Sequence, residues 1–307
     1  MTDFLNRLDP EFRDMIEADG PHMSEVLKVD VSAARRDFDA RLAAIGKMLP
    51  PYRGQTDEYH MPGLDGEPEV AVVEYRDRDV LHPDCCIIWL HGGGYMIGSA
   101  HDLSAQSYSS LAPVVSVDYR MAPEHRAPAA AKDVCAAIER IASNRKPRKI
   151  ILAGPSAGAG LAASGAIMNR DRGGPELAFQ MLIYPMLDDQ HDTPSGRAEI
   201  PPSTWNRDVS LHAWSLYVEE DGASPYAAAA RAKDLSGLPP AYIMCGDLDL
   251  FLDEDIEYAN RLRSAGVPVE LAIYPGAPHG FNGFAPGAQV SKRANASIRM
   301  ALEHALN

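Results

Sequence analysis

A chain of 307 residues with 46% hydrophobic and 23% charged residues has the composition of an ordinary globular protein and the length for one sizeable core. Its formal net charge of -14 argues against partners that need a positive patch, so neither nucleic acid nor an anionic membrane surface is expected. The first sixteen residues carry four acids and no apolar leader core, and no run approaches the roughly 18 apolar residues of a membrane span, so a cytoplasmic protein is expected.

From Thr2 to about Leu49 the pattern is helical and rich in polar residues, with Phe4, Leu5, Leu8, Phe12 and Ile16 at spacings of three and four, then a second segment from Val31 to Met48. Pro50-Pro51 closes it. Two hairpin-like strands follow at Gln55–His60 and Glu69–Tyr75, around the turn cluster Pro62-Gly63-Leu64-Asp65-Gly66. Short apolar runs then alternate with helical segments: Cys85–Leu90, Val114–Val117, Lys149–Ala153, Leu177–Tyr184, Ala241–Cys245 and Val269–Tyr274. Such alternation predicts an α/β fold with a mostly parallel sheet and helices on both faces.

Chemistry gathers where these runs end. After Cys85–Leu90 comes His91-Gly92-Gly93-Gly94-Tyr95, a loop able to present backbone N–H groups to a developing oxyanion. After Lys149–Ala153 comes Gly154-Pro155-Ser156-Ala157-Gly158, followed by an alanine-rich helix over Ala157 to Met168. A serine on that sharp turn needs small neighbours, which Gly154 and Gly158 provide, and the helix start aims the Ala157 N–H at the same oxyanion. Serine is a poor nucleophile until an adjacent base takes its proton. Of ten histidines, His279 follows the strand-like Val269–Tyr274 after Pro275-Gly276-Ala277-Pro278, and so lies at the carboxyl end of a strand, where sites of open α/β sheets gather.

An acid must orient this histidine, and Cys245–Asp255, just past the preceding strand, offers Asp247, Asp249, Asp253 and Asp255. Periodicity alone does not choose among them. Asp253, Glu254 and Asp255 read as first-turn acids of a helix running through Arg263. Phe251 stands where a calcium loop would need a ligand, so no metal is expected, and no cofactor is implied. Between Tyr184 and Ala241, residues 188–225 form an insertion too long for a simple crossover; Trp205, Trp214, Leu216 and Tyr217 mark it as a lid or binding element. Cys85, Cys86, Cys135 and Cys245 lack metal-type spacing and read as reduced and structural, and the Asn295-Ala296-Ser297 sequon as silent.

Taken together, these residues resemble the bacterial hormone-sensitive-lipase-like family of carboxylesterases, of the α/β-hydrolase fold. The likeness runs from about Met61 through His91–Tyr95, Asp118–His125, the serine turn, Leu182–Pro185, Asp234–Pro240 and Pro275–Phe281. It implies an eight-stranded, mostly parallel sheet with a helical cap, divided as 1–54 cap, 55–187 core, 188–225 cap insertion and 226–307 core. It further implies Asp249 as the acid, with Asp253-Glu254 trailing it, and Gly93 and Gly94 joining Ala157 in the oxyanion hole, with His91 as an anchor. Tyr95, Met96, Trp214 and Phe281 are expected pocket walls, and a lid with limited room favours small-molecule esters of short acyl chains. Relatives are often dimers, so the resemblance admits a homodimer. The chain departs from the family pattern at Pro155, usually polar, at Ala159-Gly160, often Gly-Asn, and at Leu250, commonly proline. An amidase, formamidase or carbamate hydrolase with the same triad is the nearest alternative; a non-catalytic ligand-binding relative is more remote, because serine, aspartate and histidine are all retained.

Overall fold

Every residue of Cys85–Leu90 is apolar and every one is buried, as a strand covered on both faces must be. Alternation sends Cys86, Ile88 and Leu90 into one core layer and Cys85, Ile87 and Trp89 into the other. A computed structural model, which describes residues 2–17, 23–48, 51–219 and 222–307, places this strand in an eight-stranded sheet. The strands are β1 (Gln55–Met61), β2 (Val70–Arg76), β3 (Cys85–Leu90), β4 (Val114–Asp118), β5 (Lys149–Pro155), β6 (Phe179–Ile183), β7 (Ala241–Gly246) and β8 (Val269–Tyr274), in the order β1-β2-β4-β3-β5-β6-β7-β8. β1 and β2 form an antiparallel hairpin, β2 runs antiparallel to β4, and the remaining pairs are parallel. The chain has the α/β-hydrolase fold expected of it.

Each strand overlaps its predicted segment, two of them end for end and the others differing at one or both ends. The run Leu177–Tyr184 yields only Phe179–Ile183, because Tyr184 turns to φ 39° and breaks the extended backbone. The helices Ala129–Arg145, Ala157–Asp171 and Leu252–Ser264 cover one face, and Gln289–Leu306 covers the other. The strands' carboxyl ends therefore open between two helical layers.

The amino-terminal helical stretch divides between these layers. Phe4, Leu8, Phe12 and Ile16 are buried with the apolar face of Gln289–Leu306, whereas Leu27 and Ala34 join the opposite layer, where Met23–Val29 meets Arg207–Tyr217. The helix Val31–Met48 ends where the Pro50-Pro51 signal suggested, although Leu49 and Pro50 lie outside the described residues. The insertion contributes a short 3-10 turn, Ser195–Arg197, and the helix Arg207–Tyr217. Its aromatics are less exposed than a lid would suggest: Trp214 and Tyr217 are buried, because their rings pack into a cluster with Tyr95. All four cysteines are free and buried, and Asn295 lies inside a helix, accepting from Asn282 at 2.7 Å. Among the described residues no helix is long and apolar enough to cross a membrane, and no group of three or more His, Cys, Asp or Glu could hold a metal ion.

Candidate active site

β5 ends at Pro155, and Ser156 opens the helix Ala157–Asp171 with φ 56° and ψ -122°, a strained backbone for a residue with a side chain. The strain is held from several directions. The Ser156 N–H donates to the Ile183 carbonyl at 2.8 Å, and the Ser156 carbonyl accepts from Gly160 at 3.0 Å and Met186 at 3.1 Å. Gly154 and Gly158 must lack side chains, since a Cβ on either would overlap the Leu90 carbonyl at the end of β3. Pro155 costs no bond to β6 at this point, because Ser156 supplies the donor; its ring lies against Gly92. Gly160 is equally constrained, because a Cβ there would overlap the Met186 carbonyl and press on the Tyr95 hydroxyl.

The loop after β8 carries His279 to this serine. Its Nε2 lies 3.0 Å from Ser156 Oγ and its Nδ1 2.7 Å from Asp249 Oδ2. Asp249 is buried, and its second oxygen accepts the Phe251 N–H at 3.0 Å, so both oxygens are engaged. An ionised carboxylate only accepts, so Nδ1 carries the proton and Nε2 faces the serine hydroxyl with its lone pair. The imidazole is clamped edge to face by Phe251 at 5.0 Å and by Tyr184 at 4.9 Å between ring centroids. Of the aspartates that the sequence left open, Asp249 meets the histidine.

The glycine loop bends over Ser156 through positive φ at Gly93, Gly94 and Tyr95. Among the described residues, the amides of Gly93, Gly94 and Ala157 donate to no acceptor. His91 is buried and stacks on Tyr119 at 4.2 Å, its Nδ1 lies 2.8 Å from the Gly92 carbonyl, and desolvation holds its pKa below the ordinary value. Tyr119 donates to the His91 carbonyl at 2.8 Å, and Arg35 of Val31–Met48 donates to the Met96 carbonyl at 2.7 Å and the Ala122 carbonyl at 2.8 Å. The Asp118–His125 segment and one amino-terminal helix thus brace the loop from behind.

The four expected pocket walls sit in packing. Tyr95 is stacked on Tyr217 at 3.9 Å with its hydroxyl on the Met186 carbonyl, Trp214 packs against Tyr95 at 5.3 Å, and Met96 is fully buried. Phe281 is enclosed by Phe12, Tyr184 and Tyr274. The insertion instead brings Trp205 to the site. Its ring lies where a Cβ on Gly94 would overlap it, 6.4 Å from the His279 ring, and its indole N–H is buried without an acceptor among the described residues. Trp205 was visible in the sequence only as one insertion aromatic among several.

A family model described as the alpha/beta hydrolase fold matches residues 87–283, the stretch that contains Ser156, Asp249, His279 and the glycine loop. The chain belongs to the hormone-sensitive-lipase-like carboxylesterases. It is 33% identical to the carboxylesterase NlhH of Mycobacterium tuberculosis over 96% of both chains, and 36% identical to the esterase LipI of the same organism over 70% of this chain and 72% of that one. Its structure superposes on a bacterial heroin esterase with TM-score 0.91 at 35% identity, covering 98% of this chain and 99% of that one. A Pyrobaculum calidifontis esterase gives TM-score 0.85 at 32% identity, covering 97% and 98%. The protein is accordingly a carboxylic ester hydrolase.

Five residues beyond Asp249, this esterase buries another acidic group, Glu254. Glu254 accepts the N–H groups of Leu187 at 2.8 Å and Asp188 at 3.2 Å, and its other oxygen lies 3.5 Å from His191 Nδ1. His191 Nε2 lies 2.8 Å from the Ser210 hydroxyl. Thus Glu254 and Asp255, expected as first-turn acids, do open the helix, and both are buried. Desolvation, opposed by His191, pushes the Glu254 carboxyl up to about 7, and burial pushes Asp255 well above the carboxylate range. Because the folded value for Glu254 exceeds the ordinary 4.5, its protonated form carries the stability, complete below that pH and lost as pH rises through about 7. Glu254→Gln keeps an acceptor for Leu187 and Asp188 without the charge. Melting curves from pH 5 to 8 should show the variant gaining on the parent as pH rises, by up to about 3 kcal/mol. A constant difference across that range would show that Glu254 does not titrate there.

Proposed function

We propose that the protein hydrolyses short-chain acyl esters of small molecules through Ser156, His279 and Asp249, with the Gly93, Gly94 and Ala157 amides receiving the oxyanion. The observation that carries this reading is the unbroken chain from Ser156 Oγ to His279 Nε2 at 3.0 Å and from Nδ1 to Asp249 Oδ2 at 2.7 Å, set at the strained turn.

Ser156 Oγ attacks the ester carbonyl carbon while its proton passes to His279 Nε2, and Asp249 stabilises the imidazolium. The carbonyl oxygen, now negative, lies at the start of Ala157–Asp171, where the amides and the helix dipole favour charge. Collapse expels the alkoxide, which takes the proton from Nε2. Water then attacks the acyl-serine carbon and gives a proton to Nε2. The second tetrahedral intermediate expels Ser156 Oγ, which recovers that proton as the carboxylic acid leaves.

In this reading, residues 23–48 and 188–219 form the cap, and Trp205, set against Gly94 and 6.4 Å from the His279 ring, bounds the substrate. Short p-nitrophenyl esters should be turned over faster than long ones and far faster than the matching acetanilide. Trp205→Ala should shift the preference towards longer acyl chains. An anilide cleaved as fast as its ester would reassign the chain to amide hydrolysis, and an unchanged chain-length profile in Trp205→Ala would remove that residue from the pocket.

A further inference from the structure

Asp247 stands two residues before Asp249, yet its side chain is turned to the loop that carries His279. Its Oδ1 accepts the Gly276 N–H at 2.6 Å and its Oδ2 accepts from Arg7 Nη2 at 3.2 Å. The same Arg7 nitrogen donates to the Asp247 carbonyl at 3.3 Å. On the other side, the Gly276 carbonyl accepts the Asp9 N–H at 3.0 Å. Both polar backbone groups of Gly276 are therefore held, one by the loop after β7 and one by the amino-terminal segment.

The grip is close as well as polar. Gly276 has φ 72°, and a Cβ there would come within 2.8 Å of the Asp9 nitrogen. Ala277 accepts from the Leu248 N–H at 3.1 Å and sits where a Cβ on Gly246 would overlap its carbonyl. Past His279, Phe281 meets Phe12 edge to face at 5.9 Å. Residues 2–17 thus hold the histidine loop on both sides of the imidazole, in the core layer opposite the one that Leu27 and Ala34 join.

We propose that Asp247, backed by Arg7 and Asp9, is a positioning residue for His279: by anchoring Gly276 it sets where the imidazole stands between Asp249 and Ser156. The inference rests on His279 being the general base. Only Ala277 and Pro278 separate Gly276 from His279, so a released turn displaces the imidazole directly, and a shift near 1 Å in a reacting group costs about 10²-fold in rate.

The test measures kcat and KM for p-nitrophenyl acetate, with kcat normalised to sites titrated by an organophosphonate, alongside melting temperatures. Asp247→Ala should lower kcat per titrated site by about 10 to 10²-fold and leave KM within about twofold. Asp247→Asn, which keeps the Oδ1 acceptor for Gly276, should recover most of that loss. A merely structural role would lower the melting temperature or the number of titratable sites at unchanged kcat per site, and that result overturns the proposal, as does an Asn variant as slow as the Ala variant. If Asp247→Ala does not fold, Arg7→Met at its half-exposed position decides: a severalfold fall in kcat per site supports the clamp and an unchanged value refutes it. His279→Ala runs in parallel. Its retaining activity would sink the triad, whereas an inactive His279→Ala beside an unimpaired Asp247→Ala would sink the clamp alone.

Discussion

Ser156→Ala is expected to lower kcat for p-nitrophenyl acetate by about 10⁵ to 10⁶-fold. Among the described residues the Ser156 hydroxyl bonds one partner, His279 Nε2, so alanine removes the proposed nucleophile and no other bond of the hydroxyl. The backbone bonds that hold the turn, from Ser156 N–H to Ile183 and from Gly160 and Met186 to the Ser156 carbonyl, involve no side-chain atom of residue 156. Melting temperature should therefore move by no more than a degree or two. Mass spectrometry supplies an independent check: an organophosphonate should add one adduct to the parent protein and none to the variant. Hydrolysis within tenfold of the parent would displace Ser156 from the chemistry.

Asp249→Asn is expected to cost about 10⁴-fold in kcat, next to the serine change in size. Asparagine keeps an oxygen for the Phe251 N–H that now bonds Oδ1 at 3.0 Å, so the loop has little reason to move. Its amide nitrogen would then face His279 Nδ1 at the position of an oxygen now 2.7 Å away. Two donors cannot share that contact, so the imidazole would hold its proton on Nε2 and present a donor where Ser156 needs an acceptor. Asp247→Asn serves as the control. Asp247 lies in the same loop but bonds Gly276 and Arg7, so its amide should be tolerated. If the two variants exchanged roles, the family's placement of the acid at Asp249 would not hold for this chain.

Short-range pattern carried much of this protein in its linear order. A hairpin around a turn cluster and six apolar runs located the eight strands, two of them, Cys85–Leu90 and Val269–Tyr274, with the same ends as in the structure. This worked because strand periodicity and turn chemistry act between near neighbours in sequence. The small residues around Ser156 were legible for the same reason: a serine on a strand-to-helix turn leaves no room for side chains at Gly154 and Gly158.

Tertiary structure decided which groups meet at the carboxyl ends of the sheet's strands. Asp247 and Asp249 are two residues apart with the same chemistry; only the return of β8 beside β7 assigns one to Gly276 and the other to His279. Tyr95, Trp214 and Trp205 are all aromatics near the site in sequence logic, yet the first two pack in a cluster with Tyr217 while Trp205 lies on Gly94. The same holds for Glu254, whose burial beside His191 no helical pattern betrays. Local propensity specifies backbone course, whereas burial, pairing and pKa depend on partners set next to a residue only when the sheet and its covering helices pack.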